Sequence, residues 1–199
     1  AEEYLKQVYE FCKHSKDHFA LTLKNTSGKI KKLLNETRIK SHVAHLDSMT
    51  CIENYDRRFI RSKFVQDVDP KLRDDLMRAF QKYLETVPDV KKHVDKGYNE
   101  GQLTYRIKDI VSRSSPGIGS AGKVSYSFLI EGRSETLEND VVLYMKPAQK
   151  SAVSYVVRNP IVDEYFKHDG LRTVMCSYAM QASTPQWLGY TTLGTVPCL

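Results

Sequence analysis

Residues 116–132, PGIGSAGKVSYSFLIEG, join a glycine-rich stretch to a run in which apolar and polar residues alternate. The glycines fit three patterns that grip phosphates with backbone amides: the G-x-G-x-x-G of dinucleotide-binding folds, the G-x-x-x-x-G-K of Walker A loops, and the G-x-G-x-x-G-x-V of protein kinases. The flanking structure separates them, because the first two loops lead into a helix and the third connects two strands.

The residues after the glycines predict a strand and so favour the kinase pattern. Val124 follows Lys123, where a Walker A loop has serine or threonine. Upstream, Ile107, Ile110 and Val111 lead into the loop. We therefore expect a strand, a glycine loop and a second strand. Apolar residues alternate with Ser125 and Ser127 in the second strand, so one face of that strand carries Val124, Tyr126, Phe128 and Ile130.

A further predicted strand ends in a lysine. In VVLYMKPA (141–148) the alternation puts Val141, Leu143 and Met145 on one face, and Lys146 closes the strand. Protein kinases place a lysine on this strand, where its ammonium holds the α- and β-phosphates of ATP. A plain hairpin with a solvated lysine is the alternative interpretation. The predicted nucleotide-binding residues are Gly117, Ile118, Gly119, Ser120, Ala121, Gly122, Lys123 and Lys146.

The first hundred residues are expected to be mainly helical. Apolar residues recur at helical spacing over 4–23 and 29–46. A stronger helix is predicted to begin with Asp69 as its N-cap and Pro70 as its first residue. Residues 54–65 fit either a helix or a strand.

The second half of the chain mixes strands and helices, so the predicted fold class is α+β. We expect a helical region over residues 1–104. Over residues 105–199 we expect a small antiparallel sheet with helices, resembling a protein-kinase N-lobe. Beyond the strands above, helices are predicted at 149–157, 160–168 and 169–183, and a strand starts within 187–193.

The composition is typical of a globular protein. The chain has 199 residues, of which 41% are hydrophobic and 27% charged. No apolar run approaches the roughly 18 residues that a membrane span needs, and no signal peptide is visible. We therefore expect a cytoplasmic protein whose four cysteines are reduced. The first residue is not methionine, as expected of a fragment or a processed product.

Charge and histidine patterns predict no further ligand. The net charge of +6 is spread along the chain, with a local concentration at GKIKK (28–32), and does not favour nucleic-acid binding. His14 and His18, like His42 and His45, have helical spacing without a third ligand, so no metal site is predicted.

Three ordered motifs carry a family resemblance. Residues 117–123, GIGSAGK, are similar to GVGSVGT, and residues 144–148, YMKPA, are similar to LQxKEA. Residues 170–191, GLRTVMCSYAMQASTPQWLGYT, are similar to GQRVVxGQRLMQAASDxFLGWT. These motifs belong to the bacterial family catalogued as domain of unknown function 2252, placed in the protein-kinase-like superfamily, which residues 106–193 resemble. The third motif is shared through Gly170, Arg172, Val174, Met180, Gln181, Ala182, Leu188, Gly189 and Thr191.

The resemblance implies the nucleotide-binding lobe of a kinase-like phosphotransferase that takes ATP with magnesium and acts on an unknown small-molecule or protein substrate. In such a lobe Gly117, Gly119 and Gly122 approach the phosphates, Ser120 offers a hydroxyl or amide, and Lys146 neutralises charge. Lys123 assists from the end of the loop.

Two departures bear on catalysis. The family motifs GDxHxxNF and NDFDE, which supply the presumed catalytic and metal-binding residues, have no counterpart in residues 1–105, so the catalytic residues are unknown. Met175 stands where the family often has a glutamate to pair with the lysine, for which Asp163 or Glu164 are weak substitutes. The alternative is a non-catalytic interaction module that binds a protein partner through the basic helical half, around Lys29, Lys31 and Lys32.

Overall fold

A computed structural model describes most of the chain as helices, strands and their connections. It contains five α-helices and eight β-strands within the described residues. The chain separates into two compact units, residues 1–44 and residues 45–199. The described residues are 24, 26–39, 42–87, 105–114, 123–132, 136–157, 159–181 and 184–199.

Residues 29–46, predicted to be helical, contain two helices. Helix α1 is Gly28–Ile39 and helix α2 is His42–Asp47. Helix α1 begins at a glycine with a positive φ of 55°, and its exposed face carries a Lys32–Glu36 pair at helical spacing. The helix predicted over residues 4–23 lies outside the described residues.

Residues 50–67 are strands, which corrects the expectation of a helical first hundred residues. Strands β1 (Thr50–Glu53) and β2 (Asp56–Phe59) form an antiparallel hairpin. The two residues between them, Asn54 and Tyr55, have positive φ values of 50° and 63°, as a tight two-residue hairpin turn requires. Strand β3 (Val65–Asp67) follows. The ambiguous residues 54–65 are therefore resolved in favour of strand and turn.

The main sheet has four antiparallel strands in the order β3-β4-β5-β6. Strands β4 (Ile107–Ser114), β5 (Val124–Ile130) and β6 (Val141–Met145) lie next to one another in chain order. Because β3 pairs with β4, the sheet includes residues from the region predicted to be helical.

Both faces of this sheet are covered by apolar side chains. On one face the alternation of β5 and β6 buries Phe128, Ile130 and Met145, with Leu143 packed beside them, as predicted. The opposite face packs against helix α2 and the β1–β2 hairpin. Its buried residues are Leu46, Phe59, Val111 and Leu129.

Helix α3 (Pro70–Leu84) covers the first face and confirms the predicted helix. The Asp69 carboxylate accepts a hydrogen bond of 2.9 Å from the Lys71 amide, and Pro70 occupies the first turn. Leu76 and Phe80 are buried, and the Phe80 ring stacks on Phe128 with centroids 5.4 Å apart. The helix therefore fixes the sheet through its apolar stripe.

The C-terminal part packs at the free end of β6. Residues 152–155 form a 3-10 helix, a shorter element than predicted there. Helices α4 (Pro160–Tyr165) and α5 (Asp169–Met180) confirm the next two predicted helices. Strands β7 (Thr191–Leu193) and β8 (Val196–Cys198) form a hairpin. No described helix has the length and apolar character needed to cross a membrane.

Candidate nucleotide-binding site

The β4–β5 hairpin places the glycine-rich stretch between two paired strands. Ser114 is the last residue of β4, and it pairs with Val124, the first residue of β5. Residues 117–122, six of the predicted nucleotide-binding residues, lie outside the described residues. The flanks are two paired strands, and β5 begins where the dinucleotide and Walker A patterns require a helix.

The two predicted lysines line one cavity of about 390 Å³. Lys123 enters it from the start of β5 and Lys146 from the end of β6, and both side chains are exposed. Ser125, Gln149 and Thr173 also line the cavity, and no lining side chain is acidic. The Ser125 hydroxyl donates to the Arg113 carbonyl at 3.3 Å. Two cations at one place, with no acidic side chain beside them, suit an anionic ligand such as a phosphate.

The backbone at Lys146 is held firmly by the C-terminal hairpin. The Lys146 amide donates to the Leu199 carbonyl at 2.9 Å, and the Leu199 amide donates back to the Lys146 carbonyl at 3.0 Å. Ala148 donates to the Pro197 carbonyl at 2.8 Å. This pairing extends β6 past its last residue, so Lys146 leaves the sheet from an ordered position.

Helix α5 closes the far side of the cavity. Its first turn is capped by the ring nitrogen Nδ1 of His168, which accepts from the Leu171 amide at 3.1 Å. The guanidinium of Arg172 donates to the Gln149 carbonyl at 2.6 Å, which ties the helix to the segment after Lys146. Thr173 lies one turn into this helix and lines the same cavity, and its hydroxyl donates back to the Asp169 carbonyl at 2.9 Å.

No acidic side chain in the described part of the chain lies within 4.0 Å of the Lys146 ammonium. Met175, on α5, has 39% of its surface exposed and does not line the cavity. Asp163 is exposed and does not line it either, and Glu164 pairs with Lys167 at 2.6 Å. Neither acid replaces the missing glutamate.

A buried charged cluster, which the sequence analysis missed, joins the β1–β2 hairpin to the sheet. The Lys108 ammonium lies 2.8 Å from Asp140 and 2.9 Å from Asp56. The Arg57 guanidinium lies 2.8 Å from Asp47 and 3.8 Å from Asp140. The side chains of Arg57, Lys108 and Asp140 are at most 3% exposed, so each charge depends on its neighbours.

A further buried carboxylate, that of Asp109, lies next to Lys108 on strand β4. Asp109 accepts from Arg61 through both of its oxygens, at 2.7 and 3.0 Å. The backbone amides of Phe59 and Ile110 each donate to it at 2.9 Å. The Asp109 and Asp67 carboxylates raise the pKa of the Arg61 guanidinium against the effect of burial. The carboxylate is thus saturated by a bidentate partner and two amides.

These buried charges are paired with one another and serve the fold. Burial opposes ionisation of Asp56, but Lys108, with the Arg57 amide and Arg106, outweighs it and lowers the pKa of that carboxyl. Within the described ranges no group of three histidine, cysteine or acidic residues is placed to hold a metal ion. The described residues therefore do not fit a protein-held magnesium ion. The sequence signal that marks the cluster is the charged pair Lys108-Asp109 inside an otherwise apolar strand.

A second cavity, of about 320 Å³, lies on the α3 side of the sheet beside β6. Its polar side chains are already engaged: the Tyr83 hydroxyl donates to the Trp187 carbonyl at 2.6 Å, and the Thr191 hydroxyl to the Ala79 carbonyl at 2.7 Å. Burial raises the pKa of the Tyr83 phenol, which keeps it neutral. The apolar walls of this second cavity are formed by Phe80, Phe128, Leu143, Pro185, Trp187 and Leu188.

Comparison with known proteins identifies the family of the chain. Searches of curated proteins and of solved structures found no significant match. The chain matches, over residues 1–199, the family described as uncharacterized protein conserved in bacteria, domain of unknown function 2252. This match includes the N-terminal half of the chain, which contains none of the motifs quoted above. The chain therefore belongs to this bacterial protein family.

Proposed function

We propose that this protein binds ATP as the nucleotide-holding part of a kinase-like phosphotransferase. The observation that carries the proposal is the meeting of Lys123 and Lys146 in one cavity at the base of the glycine-bearing hairpin. The two lysines come from different strands, and the sheet register brings them together. This arrangement follows the kinase pattern of strand, glycine loop, strand and lysine.

Charge supports a phosphate ligand over a neutral one. Lys146 has no carboxylate partner among the described residues, so its charge is available to a ligand. An ammonium–phosphate contact at the protein surface contributes about 1–3 kcal/mol as a charge-assisted hydrogen bond. The side-chain amide of Gln149, which also lines the cavity, adds a neutral donor for phosphate oxygens.

Each residue has a separate role in this proposal. Gly117, Gly119 and Gly122 let the backbone approach the phosphates, because a glycine adds no Cβ at the contact. Ser120 supplies a hydroxyl or an amide, and Ile118 and Ala121 complete the loop. Magnesium enters bound to the nucleotide as a counter-ion, since the described residues do not fit a site for it.

A non-catalytic role is the second proposal, and one observation favours it. Within the described residues no acid orients Lys146, and Met175 occupies the helix where a kinase has its glutamate. A kinase-like fold without that ion pair can bind nucleotide or a protein partner without transferring phosphate. In this version the partner contacts the basic residues Lys29, Lys31 and Lys32 of α1.

The test is a calorimetric titration of the full chain with ATP, with and without magnesium. We expect Lys146→Ala to weaken ATP binding about tenfold, by loss of one charge-assisted contact. Lys71→Ala is the matched control, because Lys71 is an exposed lysine at the start of α3, outside the cavity. Equal affinities of Lys146→Ala and the native chain, both shown to be folded, would overturn the nucleotide assignment.

The two proposals differ in what ATP changes. Under the second, a partner captured by the protein remains bound whether or not ATP is present. Its capture is lost when Lys29, Lys31 and Lys32 are all replaced by glutamate. Capture that survives this triple charge reversal contradicts the interaction-module proposal and leaves the nucleotide titration to decide the first.

A further inference from the structure

The imidazole ring of His168, at the start of helix α5, is bonded through both of its nitrogens. Its Nδ1 accepts from the Leu171 amide at 3.1 Å, and its Nε2 lies 3.0 Å from the Thr192 hydroxyl on β7. A backbone amide can only donate, so Nδ1 carries a lone pair and no proton. The neutral ring therefore has its proton on Nε2, which donates to the Thr192 hydroxyl oxygen. These contacts fit one protonation state of the ring.

The surroundings of the ring hold it in this position. His168 is half-buried, and its ring packs against the ring of Tyr190, with centroids 5.1 Å apart. On another side the ring lies against the bare backbone of Gly170, where an added Cβ would fall 2.8 Å from the Cε1 atom of His168. The same Cβ would collide with the Cys198 carbonyl on β8. The ring is thus enclosed by the first turn of α5 and by the β7–β8 hairpin, and a rotation of the ring requires these contacts to open.

A second proton on the ring removes the cap of α5. The imidazolium ion carries N–H on both nitrogens, so it has no lone pair with which to accept from the Leu171 amide. The new Nδ1 proton would instead face the amide proton of Leu171. The positive charge would also lie at the N-terminus of a 12-residue helix, where the helix dipole disfavours a cation. Protonation of His168 is therefore incompatible with the contacts that begin α5.

No carboxylate on the helix side of the ring compensates for the added charge. Within the described residues no acidic side chain lies within 4.0 Å of the ring nitrogens of His168. The next residue, Asp169, lies 3.4 Å from the Arg172 guanidinium, and the preceding residue, Lys167, lies 2.6 Å from Glu164. Each neighbouring charge thus has a partner of its own on the helix side.

The hairpin side of the ring offers neutral groups. Residues 184–199 contain no acidic or basic side chain. The titratable groups there are the Tyr190 phenol and the Cys198 thiol, and burial raises the pKa of the Cys198 thiol, so both are neutral in acid. The imidazolium ion therefore gains no ion pair from the hairpin that would offset the loss of the cap.

We propose that His168 is a proton-sensitive cap, which holds the first turn of α5 at neutral pH and releases it in mildly acidic solution. Histidine is the side chain whose charge ordinarily changes between pH 5 and pH 8. The usual capping residues, such as serine and asparagine, keep their acceptor oxygen throughout this range. A histidine at this position therefore makes the start of α5 respond to pH, which these capping residues would not do.

The released turn borders the cavity that holds Lys123 and Lys146. Arg172, in this turn, donates to the Gln149 carbonyl at 2.6 Å, and Thr173 lines the cavity itself. Release of the turn therefore loosens one wall of the cavity, and binding of an anion there should weaken in acid. This consequence rests on the proposed nucleotide site, whereas the release of the cap does not, so the two are measured separately.

The first test is hydrogen–deuterium exchange of the full chain at pH 8 and pH 5, corrected for the intrinsic pH dependence of exchange and followed over the first turns of α5. His168→Asn is the matched control, because asparagine accepts from the same amide at both pH values, and His168→Ala has no acceptor at either. We expect native protection to match His168→Asn at pH 8 and to fall about fivefold, to that of His168→Ala, at pH 5. Native protection equal to that of His168→Asn at both pH values overturns the proposal.

The second test follows the ring itself by proton–nitrogen correlation NMR. The signals of His168 are those missing from His168→Asn. We expect a bare Nδ1 and a protonated Nε2 at pH 8, and two protonated nitrogens at pH 5. The opposite tautomer at pH 8, or a ring that is still neutral at pH 5, contradicts the proposal. If His168→Ala does not fold, the comparison with His168→Asn and these spectra decide the outcome.

Calorimetry then separates the cap from the nucleotide site. ATP is titrated into the native chain and into His168→Asn at both pH values, and comparison at one pH removes the effect of protonation of ATP itself. We expect equal affinities at pH 8 and weaker binding by the native chain at pH 5. Equal affinities at pH 5 contradict the coupling of the cap to the cavity. Absence of ATP binding by both proteins at pH 8 overturns the nucleotide proposal, while the exchange result still decides the cap.

Discussion

Removal of the Lys108 charge should destabilise the protein strongly. The ammonium makes contacts of 2.8 and 3.0 Å with the two oxygens of Asp140 and 2.9 Å with Asp56. Lys108 and Asp140 are 1% and 0% exposed, so water cannot replace the lost partner. Breaking one side of a buried ion pair costs about 3–5 kcal/mol, a large part of the 5–15 kcal/mol typical of a domain.

The experiment is urea unfolding of Lys108→Met at pH 7, with the chain in its native length. We expect the free energy of unfolding to fall by about 3–5 kcal/mol. Lys167→Met is the control, because the Lys167–Glu164 pair is exposed on both sides, at 69% and 72%. An exposed pair of this kind contributes about 0–1 kcal/mol.

A double variant tests the explanation itself. Lys108→Met with Asp140→Leu removes both charges of the buried pair. Arg57 also loses Asp140 but keeps Asp47 at 2.8 Å, and Asp56 keeps contact with water through its 23% exposed side chain. We expect the double variant to be more stable than Lys108→Met alone, because no carboxylate is left buried without its nearest cation. A double variant less stable than the single one, or a single variant that loses less than about 1 kcal/mol, would refute the reasoning.

Three further changes test local features. Asp69→Ala should cost about 1 kcal/mol in unfolding free energy and Asp69→Asn much less, because both aspartate and asparagine cap the first turn of α3; equal losses contradict this. Gly132→Ala should cost more than about 2 kcal/mol in the same urea assay, since its Cβ would fall 1.8 Å from the Asn139 carbonyl oxygen; a neutral result contradicts the packing. Asp56→Asn should lower the free energy of unfolding at pH 7. The difference in unfolding free energy from the native chain should shrink below pH 3.8, because the native carboxyl loses its charge as the pH falls towards its lowered pKa. A difference that does not vary with pH contradicts the role of Lys108.

Local pattern was sufficient for the elements around the candidate site. The alternation in 124–130 and 141–145 predicts both strands and their buried faces, because a strand places successive side chains on opposite sides. Asp69 and Pro70 predict the start of α3, because a cap and a first-turn proline act within a few residues. The placement of Lys146 at the end of β6 follows from the same local rule.

Local pattern failed where partners are distant in sequence. Residues 54–65 fit either a helix or a strand by pattern alone. Strand β3 forms by pairing with β4, and Arg57 of β2 is held near Asp140, both distant in sequence. The Lys108–Asp140 contact joins residues 32 positions apart, so no spacing in the sequence predicts it. Only the fold brings such charges to within hydrogen-bond distance and shields them from water.

By itself the sequence determined the glycine-bearing hairpin, the lysine that ends the third strand of the pattern, and membership of a bacterial family. Each depends on residue types and short spacings. The tertiary structure alone decided that Lys123 and Lys146 share a cavity, that no described acid pairs with Lys146, and that Lys108 lies between Asp56 and Asp140. The physical reason is that strand register and long-range packing, which set these distances, are properties of the whole folded chain.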